Sequence, residues 1–140
     1  MTTDQISRKI TELRHAAGYK QSFIADYLGV TRQTYSHYET GRVTPSLGAL
    51  CRLAQLYNFP METLLSLTFP ESYPMPASMT IQANEMDRYL AFANAPKNRI
   101  RYKGCSVMEK KLLCEFQKLD SKEQKQLIRI AKVLVDNKSI

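Results

Sequence analysis

Gln21-Ser22-Phe23-Ile24-Ala25-Asp26-Tyr27-Leu28-Gly29-Val30-Thr31-Arg32-Gln33-Thr34-Tyr35-Ser36-His37-Tyr38-Glu39-Thr40 reads as two short helices joined by a tight turn. One helix ending near Leu28 and another beginning near Arg32 send Ile24, Leu28, Val30, Tyr35 and Tyr38 inward. Ala25 falls where the two would cross, and its small side chain lets them approach closely. Gly29 follows the first helix, where the chain takes a left-handed conformation that only glycine adopts without cost. Thr31 precedes the second helix and can cap its free N–H groups. The polar side of that second helix is left free, which is the arrangement that lays a helix in the major groove of DNA.

The neighbouring segments continue the helical pattern. Asp4 to Ala17 places Ile6, Ile10, Leu13 and Ala17 on one helical face, and Gly18 ends it. Glu39-Thr40-Gly41 closes the second helix of the pair, and Arg42 to Pro45 form a loop that proline keeps out of helix. Ser46 caps a fourth helix through Tyr57, with Leu47, Leu50, Leu53, Ala54 and Tyr57 expected to face the core. Asn58 is a left-handed stop, and Met61 to Leu67 makes a short fifth helix. Three prolines between Phe69 and Pro76 predict an extended linker, placed at 69–80.

Beyond the linker, Ile81 to Ala95 is expected as a helix with Met86, Tyr89, Leu90 and Ala93 on one side, ended by Pro96. Asn98 to Gly104 reads as basic and irregular, and Val107 to Phe116 as another helix. A last helix runs to about Asp136, capped by Asp120 or Ser121. Ser121 and Gln124 have capping-box spacing, and Leu127, Ile130, Ala131 and Leu134 form its apolar stripe.

Composition narrows the function classes. The chain has 140 residues and 44% hydrophobic content, enough to bury a core. Its net charge of +7 favours a polyanionic partner. The charge is uneven: through Thr68 seven Lys/Arg stand against five Asp/Glu, and from Phe69 thirteen stand against eight. Basicity is therefore not concentrated in the helix pair, so charge alone does not identify its ligand. Cys51, Cys105 and Cys114 lack metal-ligand spacing and His15 and His37 lack matching partners, so no metal or other cofactor is expected and the cysteines are read as free thiols. Cys51 is read as a small core residue. No apolar run approaches the roughly 20 residues of a membrane span, and no signal-peptide core opens the chain. A soluble, cytoplasmic protein with no membrane partner is expected. No nucleophile–base pair or phosphate loop is present, so no enzyme activity is expected.

Residues Ile10 to Leu65 resemble the Cro/cI-type (XRE-family) helix-turn-helix domain of phage repressors and many small bacterial and phage regulators. The resemblance is carried by Leu13-Arg14, Gly18-Tyr19-Lys20-Gln21, Ala25, Leu28 to Thr34, Glu39-Thr40-Gly41 and Pro45-Ser46-Leu47. It implies a five-helix, lambda-repressor-like DNA-binding domain over 1–68; with the helices read from the spacing beyond the linker, the whole is expected to be all-α, with a helical C-terminal region over 81–140. The resemblance makes Thr31 to Glu39 the recognition helix, with Arg32, Gln33 and His37 where the family reads base edges. Gln21 falls where the family touches phosphate and braces that helix, and Arg14 and Glu39 match a structural pair. Arg32 suits guanine O6 and N7, and Gln33 suits adenine N6 and N7. Thr31, Thr34, Ser36, Thr40 and Arg42 are suited to phosphate contacts, which set register.

The chain departs from the family at Lys20, where a Ser, Thr or Asn cap is usual, and at Phe23, usually polar. Lys20 is instead placed to reach phosphate. Tyr35 and Tyr38 stand where aliphatics are commoner, their rings expected in the core and their hydroxyls directed to solvent or backbone.

The resemblance implies a sequence-specific transcriptional regulator, a repressor binding double-stranded DNA as a homodimer on an inverted repeat. The C-terminal helices are the candidates for dimerisation or for a protein partner. The alternative is an antitoxin-like protein whose C-terminal region binds a toxin while the N-terminal domain autoregulates the promoter. The run Lys97 to Gly104 is read either as a DNA-contacting arm or as a solvated connection.

Overall fold

The computed structural model describes residues 2–68 and 77–138. Their regular elements are all helices: α1 (Thr2–Ala17), α2 (Gln21–Leu28), α3 (Arg32–Thr40), α4 (Leu47–Tyr57), α5 (Met61–Thr68), α6 (Ala77–Asn94), α7 (Pro96–Arg101), α8 (Val107–Phe116) and α9 (Ser121–Lys138). Among the described residues no helix is long and apolar enough to cross a membrane. The Pro-rich stretch 69–76 lies outside the described residues. The rest of the expected linker does not: 77–80 form the first turn of α6, so that helix begins four residues before Ile81.

Helices α1 to α5 fold as their spacing demands. Ile6, Ile10 and Leu13 of α1, Ile24 and Leu28 of α2, Tyr35 and Tyr38 of α3, and Leu50, Leu53 and Tyr57 of α4 meet in one buried cluster. Burying each large apolar side chain contributes about 1.5–3 kcal/mol. Gly29 takes φ 72° between α2 and α3, and Asn58 takes φ 55° after α4, where a short polar side chain tolerates the left-handed region. Ser46 Oγ accepts from Ala49 N at 3.1 Å and opens α4. Leu47 corrects the pattern: it is 61% exposed, because the first turn of α4 projects beyond the core that Leu50 and Leu53 enter. Cys51 is only partly buried, and Cys114 on α8 is the buried thiol.

The C-terminal helices do not stand apart. Met86, Tyr89, Leu90 and Ala93 of α6 and Val107 of α8 join the same core as α1 to α5. Polar ties reinforce the junction: Lys9 pairs with Asp87, and Asn94 Nδ2 donates to Glu12 O at 3.3 Å. Two adjacent lysines of α8 grip the carboxyl ends of two other helices. Lys110 Nζ donates to Ala16 O at 2.7 Å, and Lys111 Nζ donates to Asn58 O at 2.5 Å. Unpaired helix-end carbonyls carry partial negative charge, which offsets the cost of burying an ammonium there. That burial pushes the pKa of both lysines down, Lys111 to about 8. Lys111 also lies 3.5 Å over the Phe59 ring, itself edge-on to Tyr89.

Two further details differ from the sequence pattern. Residues 98–101, expected to be irregular, belong to α7, whose first residue is Pro96. Proline has no N–H, but the first helical residue needs none, so Pro96 both stops α6 and starts α7. The cap of α9 is the reciprocal pair Asp120–Glu123: Asp120 Oδ1 accepts from Glu123 N at 2.8 Å, and Glu123 Oε1 accepts from Asp120 N at 3.1 Å. Ser121 begins the helix, and Gln124 donates backwards to Phe116 O and Leu119 O.

Candidate nucleic-acid interface

Two devices hold α3 in place. At its start, Thr31 Oγ1 accepts from Thr34 N at 3.1 Å, a cap contributing about 1 kcal/mol. At its end, Glu39 faces Arg14 across the bundle, with Arg14 Nε to Glu39 Oε1 at 2.5 Å and Nη2 to Oε2 at 3.1 Å. Gln21 Nε2, in the first turn of α2, adds a third donor to Glu39 Oε2 at 2.9 Å. The pair is nearly enclosed, with side-chain exposures of 13% for Arg14 and 7% for Glu39. Burial pushes the Glu39 pKa up, but the donors on its carboxylate outweigh it and hold it below the usual carboxylate value. Arg14 also donates to Tyr19 O at 3.1 Å, tying the α1–α2 turn into the same knot.

Tyr35 corrects an expectation. Its hydroxyl is directed neither to solvent nor to backbone but is buried beside Glu39, and burial raises its pKa. The ring packs edge-on to Tyr38 with centroids 6.3 Å apart, so the two tyrosines form the floor of α3.

With that side filled, helical spacing sets the free face. Arg32, Gln33, Ser36, His37 and Thr40 fall on one strip opposite Tyr35 and Tyr38. Arg32, Gln33 and Thr40 are exposed, while Ser36 and His37 are half-buried. Thr34 sits at the edge of the strip, its hydroxyl 2.9 Å from that of Thr31. Thr40 Oγ1 donates to His37 O at 3.3 Å, and Arg42 lies exposed in the following turn with its N–H on the same carbonyl.

Beside this strip lies an open depression lined by Arg14, Lys20, Gln21, Ser22 and Arg32, with cations on three of its five residues and no carboxylate among them. Lys20, whose side chain makes no cap bond to α2, is exposed there. Ser22 was not singled out in the sequence; its signal was exposure next to Gln21 in the first turn of α2. Phe23 is half-exposed and packs on Tyr19, with ring centroids 4.6 Å apart. A second depression, past the end of α1, carries His15, Arg99 and Lys103. Part of the basic run 97–104 therefore lies against the helical body. Tyr102 stacks on Phe92 and accepts from Gln117 Nε2 at 3.1 Å.

Comparison with known proteins agrees with this geometry. The helix-turn-helix domain family matches residues 5–67. The chain is 40% identical over 57 residues to the HTH-type transcriptional regulator AnsR of Bacillus subtilis, covering 41% of this chain and 49% of AnsR. It is 34% identical over 62 residues to the uncharacterized HTH-type transcriptional regulator YgzD of the same organism, covering 44% of this chain and 94% of YgzD. It is 37% identical over 60 residues to the cryptic phage CTXphi transcriptional repressor RstR of Vibrio cholerae, covering 43% and 54%. The match thus spans about half the length of AnsR and RstR and nearly all of YgzD. No solved structure matches the chain significantly.

Proposed function

The chain belongs to the helix-turn-helix transcriptional regulators, and from that premise we propose that it is a sequence-specific DNA-binding repressor acting as a homodimer on an inverted-repeat operator. The observation that carries this reading is the free strip of α3, Arg32, Gln33, Ser36, His37 and Thr40, on a helix whose opposite face is locked by Tyr35 and Tyr38. Arg32 and Gln33 read base edges, each good bidentate pair contributing about 1–3 kcal/mol of discrimination. His37 lies one turn further along the same face. Gln21, Thr31, Thr34, Ser36, Thr40 and Arg42 set register on phosphates, with Lys20 and Ser22 in the adjoining depression. RstR, to which the chain is similar, is a transcriptional repressor, which supports repression as the direction of control. Its site of action is the cytoplasm, where its DNA lies.

A single recognition helix reads only a few base pairs, too few to stand out against a genome of competing sites. Two copies related by a two-fold place their recognition helices roughly 34 Å apart, one turn of duplex. Selection of bound sites from a random duplex library tests the reading. An inverted repeat with half-sites about 10 base pairs apart is expected. Failure to enrich any motif, with only salt-sensitive binding to every sequence, would overturn it.

A further inference from the structure

Helix α9 has a broad apolar face that, beyond the half-buried Leu127, no described residue covers. From Ile128 to Lys138 every residue is exposed, and Ile130, Leu134 and Val135 are 58%, 62% and 64% exposed. Its side-chain anchorage is in the first turn, where Gln124 reaches Phe116 O and Leu119 O. At 3.6 residues per turn, Ile130, Leu134, Leu127, Ala131, Val135 and Ile128 follow one another around one side, with Lys122, Lys125, Arg129 and Lys132 opposite. A helix of this length is marginal alone in water, so its apolar side requires a cover.

We infer that the cover is α9 of a second copy, packed antiparallel along Leu127, Ala131 and Leu134. The inference rests on the dimeric reading above and names its seam. Three features select this occupant. Ala131 in the middle of the face lets two backbones approach closely, with the leucines on either side packing across. The ends are complementary only when the helices run oppositely: Asp120 and Glu123 at the start of one meet Lys138 at the end of the other, and the helix dipoles also oppose favourably. Parallel pairing sets like charges together at both ends. Finally, α9 carries no aromatic residue, whereas a helix lying in a lipid surface characteristically inserts Trp or Phe beside its leucines. The pairing is isologous, so it closes at two copies.

The test is sedimentation of the full-length protein without DNA, wild type against Leu127→Asp/Leu134→Asp. The double variant should dimerise at least roughly a hundredfold more weakly, since four leucines leave the seam. It should still unfold cooperatively, since neither leucine belongs to the core, and only the wild type should show a melting midpoint that rises with protein concentration. Oxidative cross-linking, with the wild type and its three cysteines as control, reads the orientation. Ala131→Cys, near the two-fold, should form a covalent dimer, and Gln124→Cys, far from its own copy, should not. A dimer indifferent to the double substitution overturns the inference and leaves the dimeric reading standing, as does efficient cross-linking at Gln124→Cys for the antiparallel arrangement. A monomeric wild type overturns both. A monomer that co-sediments with phosphatidylserine-containing vesicles, or that is captured only by a different protein, overturns the inference in favour of that occupant.

Discussion

Glu39→Gln keeps the size and one acceptor oxygen of the side chain but removes the charge that Arg14 faces. Removing one partner of a fully buried pair costs about 3–5 kcal/mol, and an exposed pair contributes under about 1 kcal/mol. With Arg14 13% exposed and Gln still able to accept one bond, the loss should be about 2 kcal/mol. For a chain of this length that lowers the thermal midpoint by about 6–8 °C. Urea unfolding at pH 7 measures it. The pH dependence adds a sign: the folded carboxylate titrates below its ordinary value of 4.5, so its contribution is complete above that pH. It falls away as pH drops below 4.5 toward the folded value, and the gap between wild type and variant should narrow over that descent. The double replacement Arg14→Met/Glu39→Met should cost less than the two single ones summed, since no charge is left stranded. A single-variant penalty under about 0.5 kcal/mol, or one unchanged between pH 7 and pH 3, would refute a buried, charge-dependent clamp.

Lys111 titrates near 8 in the folded chain against 10.5 ordinarily, so the folded state gives up its proton first and stability rises with pH from about 8. Between pH 7 and pH 9, wild type should gain about 1 kcal/mol relative to Lys111→Met, as read by urea titration at both values. A constant difference would mean that the ammonium is fully hydrated. Gly29→Ala places a Cβ in open space at φ 72°, so its cost is backbone strain alone, about 1 kcal/mol by calorimetry. A neutral or stabilising result would mean that the α2–α3 turn relaxes to another conformation.

Local rules were legible wherever one residue and its neighbours decide the outcome. Gly29, Thr31, Ser46 and Asn58 punctuate the helices where their chemistry requires it, and the apolar spacing of α1 to α5 identified most of the core. Pro96 was ambiguous, because a proline that stops one helix also suits the first position of the next. Asp120–Glu123 and Ser121–Gln124 share the same spacing, and only the start of α9 decides between them. Docking of α6 and α8 onto the N-terminal helices was not legible. Its key bonds join residues far apart in the chain, such as Lys110 with Ala16 and Lys111 with Asn58, and periodicity does not carry such pairings. The interface was readable as residue types on a strip; the depression between α2 and α3 required the fold, because it draws Arg14 and Arg32 from different helices.

The most direct measurement is the ratio of affinities for the selected operator and a scrambled duplex at fixed salt, for wild type, Arg32→Ala/Gln33→Ala and Arg42→Ala. If α3 reads bases through Arg32 and Gln33, the double variant loses about 2 kcal/mol or more of that ratio, while Arg42→Ala weakens both duplexes alike. A double variant that keeps the wild-type ratio would contradict base reading by this helix.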